Sequence, residues 1–167
     1  MDIVGPFEHG SHDCRFAITL VDYFSKWPEV AFAPQVTTDT VTSFLTTVFA
    51  REGNPCSIVT DNGSQFCSTA FSEFLKERGI KHIHTSVYHP QANGAAERFN
   101  RVLKECIQAA ETHHKPWKQE VTTLLQSYRC SCFGRASDQV ELIRAERRKK
   151  MECGAPVSVY QCTVANP

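Results

Sequence analysis

The stretch SIVTDNGSQF, Ser57 to Phe66, decides how this chain folds. Ser57 to Thr60 is a short run built around Ile58 and Val59, cut off at once by the turn residues Asp61-Asn62-Gly63. A run so short and so abruptly ended reads as a buried central strand with a carboxylate just past its end.

The neighbours on both sides alternate helix and strand. Thr38 to Arg51 (TDTVTSFLTTVFAR) carries Val41, Phe44, Leu45 and Val48 at helical spacing, with Thr38 or Asp39 as its cap and Gly53 after its end. Ser68 to Arg78 is a second helix, with Phe71, Phe74 and Leu75 on one face and Gly79 stopping it. Ile80 to Thr85 is another short strand. Tyr88 to Gly94 is a loop, since it holds Pro90, Asn93 and Gly94. A long amphipathic helix runs from Ala95 to about Thr112, with Phe99, Val102, Leu103 and Ile107 on its apolar side. Pro116 restarts a further helix through Tyr128.

Upstream, Phe16 to Val30 has a β-rich core, and Asp2-Ile3-Val4 before Gly5-Pro6 is the end of a preceding strand. The turn-like HGSHD (His9 to Asp13) joins the two as a hairpin. Ala31 to Ala33 adds a short third strand, giving an antiparallel meander. The fold class is α/β, a mixed sheet flanked by helices. Residues 1–133 form one core and 134–167 a divergent tail, helical in part over Glu141 to Met151.

Bulk properties narrow the class. The chain has 167 residues, 41% of them hydrophobic, enough for one ordinary core. No run of about 18 apolar residues occurs, so no membrane span is expected. No Lys or Arg precedes Arg15, so no signal peptide is expected either. The eight cysteines are scattered without a CxxC pair, which fits reduced thiols in an intracellular protein. Formal net charge is zero, so any polyanion must be gripped by local patches such as Arg98/Arg101/Lys104 or Arg144 to Lys150.

Three acids stand in contexts that suit metal chemistry. Asp2 is near the end of the first strand, Asp61 follows the central strand, and Glu97 opens the long helix. Two Mg²⁺ or Mn²⁺ ions about 3.5–4 Å apart need converging carboxylates on rigid supports. Glu97, Arg101 and Lys104 share a helix face, because three- and four-residue steps return to one side. Asn100 lies one helical step from Glu97 and can support the ligand.

TDNGSQF, followed by KHIHTSVYHPQANGAAERFNRVLK, resembles the catalytic core of retroviral-type integrases, closest to those of gypsy-type long-terminal-repeat retrotransposons. DIVGPF and ITLVDYFSKWPEVAF are similar too, and 35 residues separate Asp61 from Glu97, as in that family. The resemblance covers about residues 1–130. It implies a ribonuclease H-like fold, catalytic and metal-holding acids at Asp2, Asp61 and Glu97, and two Mg²⁺ or Mn²⁺ ions. It implies 3′-end processing and strand transfer on DNA, with element ends and target DNA as partners. A homodimer and a nuclear location are also implied. Tyr88 and Asn93, in a mobile loop, would approach the DNA end, and Asn100, Arg101 and Lys104 would contact it. Asp22, in VDYFSKW, is the rival for the first acid; the family pattern favours Asp2.

Taken singly, each feature has an ordinary reading. Asp61-Asn62-Gly63 is a common turn, and Glu97, Arg101 and Lys104 are common helix-surface charges. His82 and His84 sit at strand spacing without cysteine partners, so packed or surface histidines are expected rather than a zinc pair. Arg144 to Lys150 reads as a solvated helix face, and Trp27 and Trp117 as packing residues.

Two departures from the family pattern bear on activity. Only Met1 precedes Asp2, so the first strand is expected to fray and loosen one ligand. After Arg129 the resemblance ends. The alternative reading is therefore a truncated or domesticated, inactive integrase-derived domain that binds DNA or a protein partner. A ribonuclease H-like nuclease acting on RNA–DNA hybrids fits the fold but not the loop.

Overall fold

The computed structural model describes residues 1–23, 25–84, 94–132 and 159–161. β1 (Asp2–Val4), β2 (Phe16–Asp22) and β3 (Pro28–Ala33) form the expected antiparallel meander. Gly5 makes the turn out of β1 possible. Its φ is +130°, and a Cβ there would stand 2.7 Å from the Arg15 carbonyl oxygen.

α1 (Thr38–Glu52) leads to β4 (Ser57–Thr60), α2 (Thr69–Glu77) and β5 (Lys81–His84), with β4 and β5 parallel. The α1 cap is Thr37, one residue earlier than expected. Thr37 is still extended (φ −106°, ψ 167°), so its side chain can accept from the Thr40 amide, whereas Thr38 is already helical. α3 (Gly94–Thr112) and α4 (Trp117–Cys132) complete the helices. α4 runs four residues beyond the expected Tyr128. Tertiary anchors carry it on: Tyr128 packs edge-on against Phe99 at 5.1 Å, and Arg129 donates to the Pro28 carbonyl at 2.7 Å.

One strand comes from the tail. β6 (Val159–Gln161) enters the sheet between β2 and β4, antiparallel to the first and parallel to the second. β3 lies on the outer edge of β2. On its inner edge β2 meets β1 over Ala17–Thr19 and β6 over Val21–Asp22. The spatial order is thus β3, β2, then β1 with β6, then β4 and β5.

The sheet separates two apolar layers. Val41, Leu45, Val48, Phe71 and Leu75 of α1 and α2 pack with Ile18, Leu20 and Ile58 on one face. Phe99, Leu103 and Ile107 of α3 and Val121 of α4 pack with Val4, Ala17 and Val21 on the other. Each fully buried Leu, Val or Phe contributes roughly 1.5–3 kcal/mol, so both faces hold the strands in place.

The first strand does not fray as expected. Met1 is 1% exposed, and its ammonium donates to the Val59 carbonyl oxygen at 3.2 Å, tying the start of β1 to β4. Among the described residues, Cys14, Cys56, Cys67, Cys106 and Cys130 are free thiols, and no helix is long and apolar enough to cross a membrane.

Candidate active site

Strand alternation sends Met1 toward the α1/α2 layer and Val4 toward the α3/α4 layer. Asp2 shares the side of Val4 and looks toward α3. It is 1% exposed. Its Oδ1 accepts the Ile3 amide at 2.7 Å, and its Oδ2 accepts the side-chain amide of Asn100. Thr19, its register partner on β2, has Oγ1 3.0 Å from Asn100 Oδ1 and 3.3 Å from the Asp2 carbonyl oxygen. Three elements therefore hold one buried carboxylate.

Asp61 follows β4. Its Oδ1 is buried and has no hydrogen-bond partner among the described residues. A buried carboxylate oxygen in that condition is costly unless a cation or donor satisfies it. The backbone beneath it is buttressed. Thr60 Oγ1 donates to the Asp61 carbonyl at 2.9 Å and lies 2.8 Å from His82 Nε2. Burial first, and the neighbouring His84 second, push His82 down to about 4, so the ring is neutral at physiological pH. Since the Thr60 proton goes to Asp61, the contact is satisfied when His82 carries its proton on Nε2. The two imidazole centroids lie 4.0 Å apart with the rings tilted by 47°.

Glu97 lies in the first turn of α3 and is exposed, as are Arg98, Arg101 and Lys104. The shared face expected of 97, 101 and 104 is thus a solvent face. Asn100 turns the other way, 2% exposed. Its side chain is spent on Asp2 and Thr19 and does not face solvent. Its place in the buried stripe Ala96, Phe99, Leu103 and Ile107 was the available signal. Thr19 joins this group without belonging to any motif. A polar residue alternating with Ala17 and Val21 on an inward strand face was its only mark.

Asp22 occupies a different place. It is three residues from Thr19, so alternation puts it on the opposite face of β2. Its Oδ2 accepts both the amide, at 3.0 Å, and the hydroxyl of Ser25, closing the turn toward β3. Tyr88 and Asn93 lie outside the described residues, as does Arg144 to Lys150.

The donor types suit a hard divalent cation: carboxylate oxygens on β1 and just past β4, one of them buried without a partner among the described residues. Among the described residues, no three acidic, histidine or cysteine side chains are close enough together to hold an ion. Asp2 lies on β1, Asp61 directly after β4, and Glu97 on the exposed side of α3.

Comparison with known proteins places the chain in a family. Residues 1–90 match the family model described as integrase core domain. An uncharacterized protein, K02A2.6 of Caenorhabditis elegans, is 33% identical over 129 residues, covering 77% of this chain and 10% of that protein. The Pol polyprotein of radiation murine leukemia virus (strain Kaplan) is 34% identical over 99 residues, covering 59% of this chain and 17% of the polyprotein. The HTLV-2 integrase catalytic core domain, solved in complex with magnesium in a dimeric form, is similar with a TM-score of 0.55. It is 26% identical and covers 66% of this chain and 71% of that one. The chain therefore spans under a fifth of the two polypeptide relatives, and most of the solved core.

Proposed function

The chain belongs to the integrase core domain family, and on that premise we propose that it is the metal-dependent core of a polynucleotidyl transferase that joins DNA ends to target DNA. The single observation that carries the reading is the state of the two acids Asp2, on β1, and Asp61, just past β4. Asp2 is locked by Asn100 and Thr19, while Asp61 presents a buried oxygen that lacks a partner among the described residues.

Family members use divalent metal ions. In this chain Asp2, Asp61 and Glu97 would hold two of them, Mg²⁺ or Mn²⁺. When bound, such ions neutralise charge on a phosphodiester and supply a reactive oxygen at neutral pH. The side chains do the rest. Asn100 and Thr19 keep Asp2 oriented through any change at the site. Arg101 and Lys104, exposed beside Glu97, would bind backbone phosphates and set the position of the strand. Tyr88 and Asn93 would approach the DNA end. The exchange is in line at phosphorus. A water oxygen first releases a 3′-hydroxyl, and that oxygen then displaces a bridging oxygen in the target, so one phosphodiester replaces another. A pair of such cores would serve two DNA ends, and work on chromosomal targets would place the protein in the nucleus.

The test is a Mn²⁺-dependent strand-transfer or disintegration assay. Wild type should be active and Glu97→Ala inactive. Equal activity in the two would sink the reading.

A second reading has its own observation. The three acids are not drawn into one cage among the described residues. A fold kept for binding DNA or a protein, with the chemistry lost, would look the same. It requires that millimolar Mg²⁺ leave thermal stability unchanged.

A further inference from the structure

The pairing registers of β1 and β6 lie on one line. Along β1, Asp2 faces Thr19, Ile3 faces Ile18 and Val4 faces Ala17. Each step back along β1 is a step forward along β2, so Met1 falls level with Leu20. The next two β2 positions, Val21 and Asp22, are taken by Gln161 and Tyr160. β6 therefore continues β1 without a gap in register and in the same direction, antiparallel to β2.

The other wall agrees. β6 is parallel to β4, with Val159 opposite Ser57 and Tyr160 opposite Ile58. Gln161 then falls beside Val59, whose carbonyl accepts the Met1 ammonium. Carried two residues further, the same register brings Asp2 level with Asp61. Two segments from opposite ends of the chain thus act as one central strand.

The slot needs an occupant. Val21, Asp22, Ser57 and Ile58 are all under 9% exposed. With β6 absent, the backbone groups that pair with it would lose those partners. A strand flanked on both sides uses its own amides and carbonyls in both directions, so the pairing makes no demand on side-chain identity.

We propose that residues 159–161 are an in-cis strand donor, which completes the strand bearing Asp2 and fixes that carboxylate level with Asp61. This is a positioning role played through the backbone, and it goes beyond the proposed chemistry.

Amide hydrogen exchange on the full chain tests it, with Tyr160→Pro and Tyr160→Val compared to wild type. Proline removes an amide and cannot sit in a doubly paired strand, whereas valine pairs as well as tyrosine. Tyr160→Pro should speed exchange at least about tenfold at Val21–Asp22 and Ser57–Ile58, with α1 and α2 unchanged. It should do the same at Ile3, whose amide reports on the Asp2 carboxylate. Tyr160→Val should match wild type. Unchanged protection in the proline variant, or equal loss in both variants, overturns the proposal. Protection lost around β6 but kept at Ile3 overturns the positioning role.

A second measurement covers the case in which Tyr160→Pro unfolds. Ser57→Cys with Val159→Cys places two thiols at directly paired positions. Oxidation and peptide mapping should find the 57–159 disulfide within monomers. No such bridge, or one found only between two chains, overturns donation in cis. None of these readouts depends on catalysis, so failure here and failure of the integrase reading are separable.

Discussion

Asn100 on α3 donates its side-chain amide to the carboxylate of Asp2 on β1, a bond that spans 98 positions of sequence. It ties the helix that carries Glu97 to the strand that carries the first acid. Both partners are almost fully buried, so this contact is worth more than a surface hydrogen bond.

Replacing Asn100 with leucine should cost about 1–3 kcal/mol, the usual penalty for leaving a buried acceptor without its donor. Asn100→Asp should behave differently with pH. Two touching carboxyls share a proton that the unfolded chain releases, so this variant should lose stability as pH rises from acid toward neutral. Urea denaturation across that range checks both. A pH-independent deficit in Asn100→Asp contradicts the contact.

His82 supplies a second pH dependence. Its folded-state value is lowered to about 4 from 6.5, chiefly by burial. Between those values the unfolded chain binds the proton and the folded chain does not. Its contribution to stability is therefore full above about pH 6.5 and lost as pH falls toward about 4. The melting temperature of wild type should drop over that window, and His82→Gln should flatten the drop. Identical slopes would show that His82 is not the group responsible.

Glu29 should prove a stability residue. Its Oε2 meets Arg51 of α1 at 3.1 Å and Arg129 of α4 at 3.2 Å, while Oε1 accepts the Trp27 indole at 3.1 Å. Glu29→Ala should cost roughly 1–3 kcal/mol, below the range for a fully buried pair because the Arg51 side chain is 56% exposed. Double-mutant cycles should give the larger coupling to Arg129, which is 25% exposed and also sits over the Trp27 ring at 4.3 Å.

Metal binding can be measured without DNA. With Mg²⁺ or Mn²⁺ tenfold above its dissociation constant, wild type should gain about 1.4 kcal/mol, a rise of a few degrees in melting temperature. Asp61→Asn should lose most of that gain. An equal shift in both proteins means the ion binds elsewhere.

Much of this architecture was written locally. Ser57 to Thr60 announced itself as an apolar run ended by a turn, and α2 by the Phe71, Phe74 and Leu75 face and the Gly79 stop. What escaped was non-local. A strand of three residues leaves no periodic trace, so β6 could not be read from the tail. The Asp2–Thr19–Asn100 group is polar inside an apolar layer, and each member alone resembles an ordinary surface residue. The acids themselves were legible as a pattern, but where Glu97 lies relative to Asp2 and Asp61 depends on how α3 seats against the sheet.

The pairing of Ser57 with Val159 also sets an order of events during synthesis. More than a hundred residues separate the two, and β2, β3, β4 and β5 have all emerged before β6 exists. The sheet must wait, with its middle open, for its last strand. Doubling such a loop costs only about 0.6 kcal/mol, so the delay affects rate far more than final stability. Until it ends, the inner edges of β2 and β4 are unpaired strand edges, the kind of surface on which nascent chains aggregate or chaperones act.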